Sequence, residues 1–322
     1  MRKVVLALTL VPFLFCLPIP GEAQKVYRIG ALIADDQFVP AFEGFKGKMM
    51  EIGYREGKSV IYDYHNAKGD DTVLERMVQK LLQGKPDLIV TSSTTATRPV
   101  ARATQGSDLP VVFLSAGNPL QLVKSYASSG NNLTGVSSSA IDLTDKRMEL
   151  LKELAPWIQK VVFLNNPKGL NYEHNLKAAR AAAKKLGLRL VEVSATTREE
   201  MRRKVSDITR SLGDAIFIPP DVMVNGVNRE IIQQSKKEKL PSVAVNEENV
   251  RRGVLAMYGS DNFALGQQGA MLVDKILKGA RPKDLPIEQP FKLRLVINLK
   301  TARAIGLKIP KEVLLRADEV VD

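Results

Sequence analysis

The sequence has few of the residues that most enzymes and metalloproteins depend on. Its 322 residues include one cysteine, Cys16, and two histidines, His65 and His174, far apart in the chain. No HExxH spacing, GxSxG nucleophile motif or phosphate-binding loop is present. The glycine pairs at 44/47 and 266/269 lack the GxGxxG order of dinucleotide sites. We therefore expect no enzymatic activity, no metal site and no cofactor.

Long hydrophobic runs are also absent, apart from one at the start of the chain. Arg2 and Lys3 precede an apolar stretch over residues 4–17, and a small-x-small site ending at Ala23 follows a breaker rich in proline. This order is typical of a secretory signal peptide covering residues 1–23, and the apolar stretch is short for a membrane span. We expect cleavage after Ala23 and a periplasmic or extracellular protein.

Cleavage after Ala23 would leave no cysteine in the mature chain. Disulfides, thiol catalysis and thiolate metal sites would then be excluded. Lipid attachment at Cys16 is the alternative, and it is disfavoured because Phe15, rather than a small residue, precedes the cysteine.

The charge balance is strongly basic. Lys and Arg number 47 against 35 Asp and Glu, which gives a net charge of +12. Such an excess first suggests nucleic acid. Here, however, the cations are mixed with acids along helical stretches such as residues 198–210, a pattern typical of a solvated helix face. Since an exported protein rarely meets nucleic acid, we expect none as a partner.

Short apolar runs alternate with amphipathic segments along most of the chain. Continuous β-branched runs of this length are typical of buried parallel strands, and helices between them indicate parallel sheets covered on both faces. The predicted strands lie at residues 27–33, 60–64, 88–91, 111–114, 161–164, 188–193, 215–218 and 242–245.

Three stretches interrupt this alternation, at residues 131–135, 258–261 and 281–286. We interpret them as connections between two open sheets, with a hinged cleft between the sheets. A chain of this length also favours two lobes. The predicted domains are an N-terminal lobe of residues 24–135 plus 259–284 and a C-terminal lobe of residues 136–258 plus 285–322.

Polar side chains gather where the predicted strands end, which is where open parallel sheets bind ligands. Ser93, Thr94 and Thr95 begin a predicted helix after the third strand, and the N–H groups and dipole of a helix start suit a carboxylate. The other candidates for ligand contact are Asp36, Phe38, Asn118, Asn166, Asn171, Asp221 and Glu247.

The acids among these candidates suggest an amine on the ligand, which would pair with Asp221 or with one of Asp35, Asp36 and Glu247. Phe38 or Tyr172 would cover an apolar face of the ligand. Helix capping and turn formation explain the same residue types. At the hydroxyl cluster, capping accounts for the residues as well as ligand contact does.

Several short motifs resemble the substrate-binding proteins of ABC transporters, in particular the tryptophan and aromatic amino-acid binders. No single motif is diagnostic, but their order and spacing cover almost the whole mature chain. They are Phe-Glu-Gly-Phe at 42–45, Glu-Ile-Gly-Tyr-Arg-Glu-Gly-Lys at 51–58, Asn-Ala-Lys-Gly-Asp at 66–70, Pro-Asp-Leu-Ile-Val at 86–90, Asn-Asn-Leu-Thr-Gly at 131–135, Gly-Val-Leu-Ala-Met-Tyr-Gly at 253–259 and Val-Ile-Asn-Leu-Lys-Thr-Ala at 296–302.

The resemblance implies a type I periplasmic-binding-protein fold of the α/β class, with two Rossmann-like lobes joined by a hinge of three strands. It places Thr94, Asn166, Asn171, Asp221 and Glu247 at family cleft positions. Two positions depart from the family pattern: Asn118 precedes Pro119 where Asp is usual, and Val222 follows Asp221 where Asn is usual.

The function we expect is that of an extracytoplasmic solute-binding protein of an ABC importer. It would bind a small carboxylate-bearing solute, an amino acid or an aromatic or organic acid, between its lobes and deliver it to a membrane permease. We expect a monomer. The alternative is a ligand-sensing module that presents the same kind of solute to a membrane signalling protein.

Overall fold

The computed structural model describes residues 25–322. The predicted signal peptide and Cys16 lie outside this range, so both remain predictions. The strands are β1 (Tyr27–Ile33), β2 (Val60–Asn66), β3 (Leu88–Thr91), β4 (Val111–Ala116), β5 (Leu133–Ser137), β6 (Lys160–Asn165), β7 (Arg189–Ser194), β8 (Ala215–Phe217), β9 (Ser242–Ala244), β10 (Ala256–Ser260), β11 (Leu293–Asn298) and β12 (Glu319–Val321).

Helices connect most of these strands. The α-helices are α1 (Val39–Glu51), α2 (Leu74–Gln83), α3 (Ser93–Ala103), α4 (Thr144–Leu154), α5 (Tyr172–Lys185), α6 (Arg198–Ser206), α7 (Val222–Asn225), α8 (Asn228–Lys237), α9 (Glu247–Arg252), α10 (Asn262–Leu277), α11 (Leu299–Ala304) and α12 (Lys311–Leu315). Short 3₁₀ helices cover Asp36–Phe38, Asp71–Val73, Pro119–Gln121 and Pro282–Asp284.

The first lobe is built on a parallel sheet with the strand order β2-β1-β3-β4-β5. The inner strand β1 is apolar on both faces, as a buried parallel strand must be. Ile29, Ala31 and Ile33 pack with α1 and α10, whereas Leu32 points to the other face and packs with α2 and α3. Both faces of the sheet are therefore closed by helices.

The second lobe is built on a larger sheet with the order β12-β11-β10-β9-β8-β6-β7. Helices α4, α5, α11 and α12 cover one face, and α6, α7 and α8 cover the other. All neighbouring strands run parallel except β10 and β11, which are antiparallel. The two-lobed α/β prediction is confirmed, with this one reversal in the second sheet.

Helix α10 follows ten strands of the chain but packs against α1 in the first lobe. Two glycines allow the helices to approach this closely. A Cβ atom at Gly266 would lie 2.7 Å from the backbone nitrogen of Phe45, and one at Gly44 would lie 2.8 Å from the carbonyl carbon of Phe263. Neither distance is compatible with a side chain, so these glycines serve helix packing rather than dinucleotide binding.

The chain passes between the lobes three times. It leaves the first lobe after β5 and reaches α4 in the second, and it returns between β10 and α10. The third passage follows Glu288, which hydrogen-bonds along β5, and leads into β11. Strand β5 extends through the predicted limit at 135/136, because residues 131–135 lead into this strand rather than across the hinge. The exact domain limits stay a prediction.

A buried arginine fixes two of these passages to each other. The guanidinium of Arg147 donates to the carbonyl oxygen of Ala140, in the first passage, and to that of Tyr258, at 3.2 Å, in β10 just before the second. Burial lowers the pKa of Arg147 to about 9, so the side chain stays charged at neutral pH. These bonds join the hinge segments through a single side chain.

Candidate functional site

A cavity lies between the lobes at the carboxyl ends of the strands, where open parallel sheets place their ligands. It contains about 580 Å³ of space outside the protein atoms, which includes its opening to solvent. Residues from both lobes line it: Gln37, Phe38, Ser93, Thr94, Thr95, Ser115, Gly117, Ser138, Ala140, Leu170, Asn171, Pro220, Asp221, Val222, Asn225, Val245 and Asn246.

The first-lobe wall is formed by the turn from β3 into α3. Ser93 has a φ of +66°, an uncommon backbone conformation for a residue other than glycine. Its Oγ accepts a hydrogen bond from the N–H of Ala96 at 3.2 Å, which caps the helix. Thr94 Oγ1 accepts from the N–H of Asn118 at 3.2 Å, so the hydroxyl also fixes the loop after β4. The predicted capping is therefore present at residues that also line the cavity.

Helix α3 directs its positive end at the cavity. The first N–H groups of an α-helix have no acceptor within the helix, and the aligned peptide dipoles add a partial positive charge there. Ser93, Thr94 and Thr95, which form the first turn, all line the cavity. Together with their hydroxyls, this turn can bind a carboxylate.

The second-lobe wall carries Asp221, which is the one charged side chain among the residues that line the cavity. Asp221 caps α7, with Oδ1 accepting from the N–H of Val224 at 2.9 Å. Burial raises the pKa of its carboxyl group, while hydrogen bonds from the N–H groups of Val224 and Met223 oppose the rise. A cation placed beside Asp221 would therefore relieve a buried negative charge.

The rest of the lining combines amide and hydroxyl side chains with apolar ones. Phe38 contributes apolar surface from the first lobe, and Leu170, Pro220, Val222 and Val245 contribute it from the second. The cavity therefore offers a ligand apolar surface as well as hydrogen-bonding groups and the Asp221 carboxylate.

Hydrogen bonds between the lobes close the cavity on two sides. Gln37 is buried, and its side-chain oxygen accepts a bond from Asn246 of the second lobe. Gln121 of the first lobe donates to the carbonyl oxygen of Leu170 at 2.9 Å and to Asn171 Oδ1 at 3.3 Å. Because these bonds need both lobes in contact, the structure is that of a closed cleft.

The structure brings six of the predicted ligand residues to the cavity and places two more next to it. The six are Phe38, Ser93, Thr94, Thr95, Asn171 and Asp221. Asn166 lines a neighbouring cavity that shares Asp221. Asn118 is buried behind Thr94, to which its backbone N–H donates.

Asp36 and Glu247 do not line the cavity. Asp36 is exposed and accepts a hydrogen bond from Asn66 at 2.8 Å. Glu247 begins α9 and pairs with Arg294 and Arg251. In each case the adjacent residue lines the cavity instead: Gln37, which follows Asp36, and Asn246, which precedes Glu247.

Sequence reasoning missed several residues of the lining. Gln37, Ser115, Gly117, Pro220 and Asn246 lie in the strand-end loops that the sequence indicates, and only their side-chain directions were unknown. The sequence contains no comparable indication that Ser138, Ala140 or Asn225 would line the cavity. Ser138 and Ala140 lie beyond a strand that was not predicted, and Asn225 lies at the end of a four-residue helix.

Metal clusters and membrane-spanning helices each place requirements on the residues that the structure describes. Within residues 25–322, no three His, Cys, Asp or Glu side chains come together as a metal site would require. Among the helices of the same range, none combines the length and the hydrophobicity needed to cross a bilayer.

Residues 28–321 match the family model for ABC transporter substrate binding proteins. Together with two α/β lobes around a cleft, this match defines the class, and the chain belongs to the ABC transporter substrate binding protein family. Its fold is the type I periplasmic-binding-protein fold. Two solved solute-binding proteins, which are 16% and 15% identical to this chain, are similar to it in fold only.

Two of three relatives at higher identity are named with an aromatic amino acid. A tyrosine-binding protein of Clostridioides difficile strain R20291 is 26% identical over 290 residues, which cover 89% of this chain and 83% of the relative. The structure of an ABC domain from Streptococcus pneumonia in complex with L-Trp is 28% identical, with a TM-score of 0.84 over 92% of this chain and 100% of the other. A conserved domain protein from Vibrio cholerae O1 is 26% identical, with a TM-score of 0.86 over the same shares.

Proposed function

We propose that this protein captures a free amino acid with an aromatic or large apolar side chain outside the cytoplasm and delivers it to an ABC permease. One observation carries the proposal: the start of α3 and the carboxylate of Asp221 face the same cavity from opposite lobes, with apolar surface between them. An amino acid has the complementary features, namely a carboxylate, an ammonium group and a side chain.

The position of the two charged ends explains how binding would close the cleft. The carboxylate would bind the first turn of α3 in the first lobe, and the ammonium group would pair with Asp221 in the second. A ligand that bridges the lobes stabilises the closed form, since it makes both contacts only there. The permease would then distinguish the closed, loaded protein from the open one.

The relatives support the aromatic class, because one is named a tyrosine-binding protein and another was solved with L-Trp. Membership of the family supports a role outside the cytoplasm and a membrane permease as partner. We propose binding without turnover, by a monomer that needs no cofactor. The lining offers one carboxylate and several hydroxyls, and no histidine or lysine that would activate a hydroxyl as a nucleophile.

Calorimetry with the purified mature protein tests the proposal through one matched set of ligands. L-Tyrosine carries both charged ends, tyramine lacks the carboxylate, and 3-(4-hydroxyphenyl)propionate lacks the ammonium group. We expect L-tyrosine or L-tryptophan to bind, and each single-ended analogue to bind at least tenfold more weakly because one lobe loses its contact. A sugar alcohol is the negative control. Tight binding of the sugar alcohol, or no binding of any amino acid, would overturn the proposal, and consumption of a ligand would indicate an enzyme.

A further inference from the structure

We propose that Arg198 is a positioning residue that holds the cleft shut from outside the cavity, and so sets how long a bound ligand is retained. The inference rests on the proposed function for its effect on ligands, whereas its effect on the lobes is independent of any ligand. Arg198 is the first residue of α6 in the second lobe and does not line the cavity.

The contact spans the two lobes. Arg198 Nη2 donates a hydrogen bond to the carbonyl oxygen of Gly69, which lies in the first lobe between β2 and the 3₁₀ helix Asp71–Val73. Gly69 is itself held in place, because its N–H donates to the carbonyl oxygen of Ala34 at 2.7 Å. Opening the cleft must break this hydrogen bond, because Arg198 and Gly69 belong to different lobes and would move apart.

Two glycines make room for the arginine, one from each lobe. In the second lobe, a Cβ atom at Gly226 would lie 2.6 Å from Arg198 Nε and 2.9 Å from its Cζ. In the first lobe, a Cβ atom at Gly69 would contact Arg198 Nη2 directly. Gly69 also has a φ of +74°, which favours glycine for a separate reason. The guanidinium therefore occupies space that a side chain at either position 69 or position 226 would fill.

The first lobe presents negative charge to this guanidinium. Asp35 Oδ2 lies 2.7 Å from the Cβ position of Gly69, so Asp35 and Arg198 flank the same glycine. Asp70 follows Gly69 in the chain, and its pKa is lowered, first by hydrogen bonds from Thr72 and further by Arg198. Attraction between opposite charges on the two lobes favours the closed form.

The place of Arg198 in its own helix argues against a purely local role. Cations are disfavoured in the first turn of a helix, because the N–H groups there already carry partial positive charge. Arg203 and Lys204 occupy the last turn of the same helix, where the dipole favours them. A residue that breaks this local rule is a candidate for a functional role.

A contact that stabilises only the closed form changes the affinity for every ligand by the same factor. When only the closed form retains ligand, the observed dissociation constant equals the intrinsic one divided by the closed fraction. Loss of the bond and of the attraction lowers the closed fraction. We expect Arg198→Met to weaken binding about tenfold, mainly through faster dissociation, and to leave the order of preference among ligands unchanged. Arg198→Lys keeps the charge but has a shorter reach, so we expect an intermediate effect.

Arg202→Met is the matched control, because Arg202 lies on the same helix and pairs with Glu230 inside the second lobe, at 3.1 Å. Ligand affinity is measured for L-tyrosine and L-tryptophan. Interlobe distance is measured without ligand by pulsed electron spin resonance, using spin labels on Lys80→Cys in α2 and Lys184→Cys in α5. Residues 25–322 contain no cysteine, so these two sites label cleanly.

We expect Arg198→Met to shift the distance distribution toward longer values and Arg202→Met to leave it unchanged. An unchanged distribution together with unchanged affinity would overturn the inference. A changed order of ligand preference would overturn it as well, because it would make Arg198 a ligand contact. If Arg198→Met shifts the distances but neither amino acid binds the unsubstituted protein, the role of Arg198 in closing the lobes is supported and the proposed function fails.

Discussion

Replacing Asp221 with asparagine should change ligand binding and protein stability in opposite directions. The proposed ammonium contact depends on the negative charge, which Asp221→Asn removes while it keeps the shape of the side chain. Removing one partner of a buried charged pair costs about 2–5 kcal/mol. Because asparagine still offers an acceptor oxygen, we expect the lower half of this range, or roughly 30- to 300-fold weaker binding of an amino acid.

The protein without ligand should not lose stability by the same change. Asparagine caps helices about as well as aspartate, so the bond from the N–H of Val224 to residue 221 can persist. Burial raises the pKa of Asp221, which means that the folded state penalises the charged carboxylate relative to the unfolded chain. Asp221→Asn supplies a neutral side chain, and at neutral pH we expect an equal or higher free energy of unfolding.

Calorimetry measures the binding change, and denaturant titration measures the stability change. Asp36→Asn is the control, because Asp36 is exposed and lies outside the cavity. Affinity of the unsubstituted protein should fall as the pH drops through the raised pKa of Asp221, above the ordinary value of 3.8, since the protonated carboxyl no longer attracts an ammonium group. The affinity of Asp221→Asn should stay flat over the same window. Binding within threefold of the unsubstituted protein would refute an ammonium contact at this residue.

Three further changes test other parts of the structure. Gly266→Ala should lower the free energy of unfolding by about 1–3 kcal/mol in denaturant titration, because it overpacks the contact between α1 and α10. Thr94→Val should weaken ligand binding in calorimetry, since it leaves the N–H of Asn118 without its acceptor and loosens the wall of the cavity. Glu319→Gln should cost about 1 kcal/mol of stability at neutral pH, because Arg294 holds the pKa of that carboxyl below its usual value. This difference should vanish as the pH falls through the lowered pKa of Glu319, where the ion pair is lost in the unsubstituted protein too.

The fold could be predicted from apolar runs where the runs were continuous. All eight predicted strands are present, within a few residues of their predicted limits. Strands β5 and β10 escaped prediction because each contains a glycine, Gly135 and Gly259, which we interpreted as part of a connection between the lobes. Strands β11 and β12 lie beyond the proline-rich stretch, where the regular alternation of strand and helix ends.

The site was predictable at the level of loops rather than of side chains. The rule that ligands collect at strand ends led to the loops after β1 and β9, and both loops line the cavity. Within those loops it favoured the acids Asp36 and Glu247 over the neighbouring amides Gln37 and Asn246. Successive side chains point in different directions where a strand turns into a helix, so a shift of one residue decides between cavity and surface. Sequence alone does not fix that direction, because it depends on the backbone angles of the turn.

The position of α10 has a consequence for the order in which the molecule can assemble. The segment that covers α1 emerges from synthesis only after the strands β6 to β10 of the other lobe. A nascent chain that ends at residue 137 therefore exposes the face of α1 on which Gly44 lies. We expect such a fragment to remain unfolded on its own, and a chain in this state is the form in which a polypeptide can be threaded through an export channel.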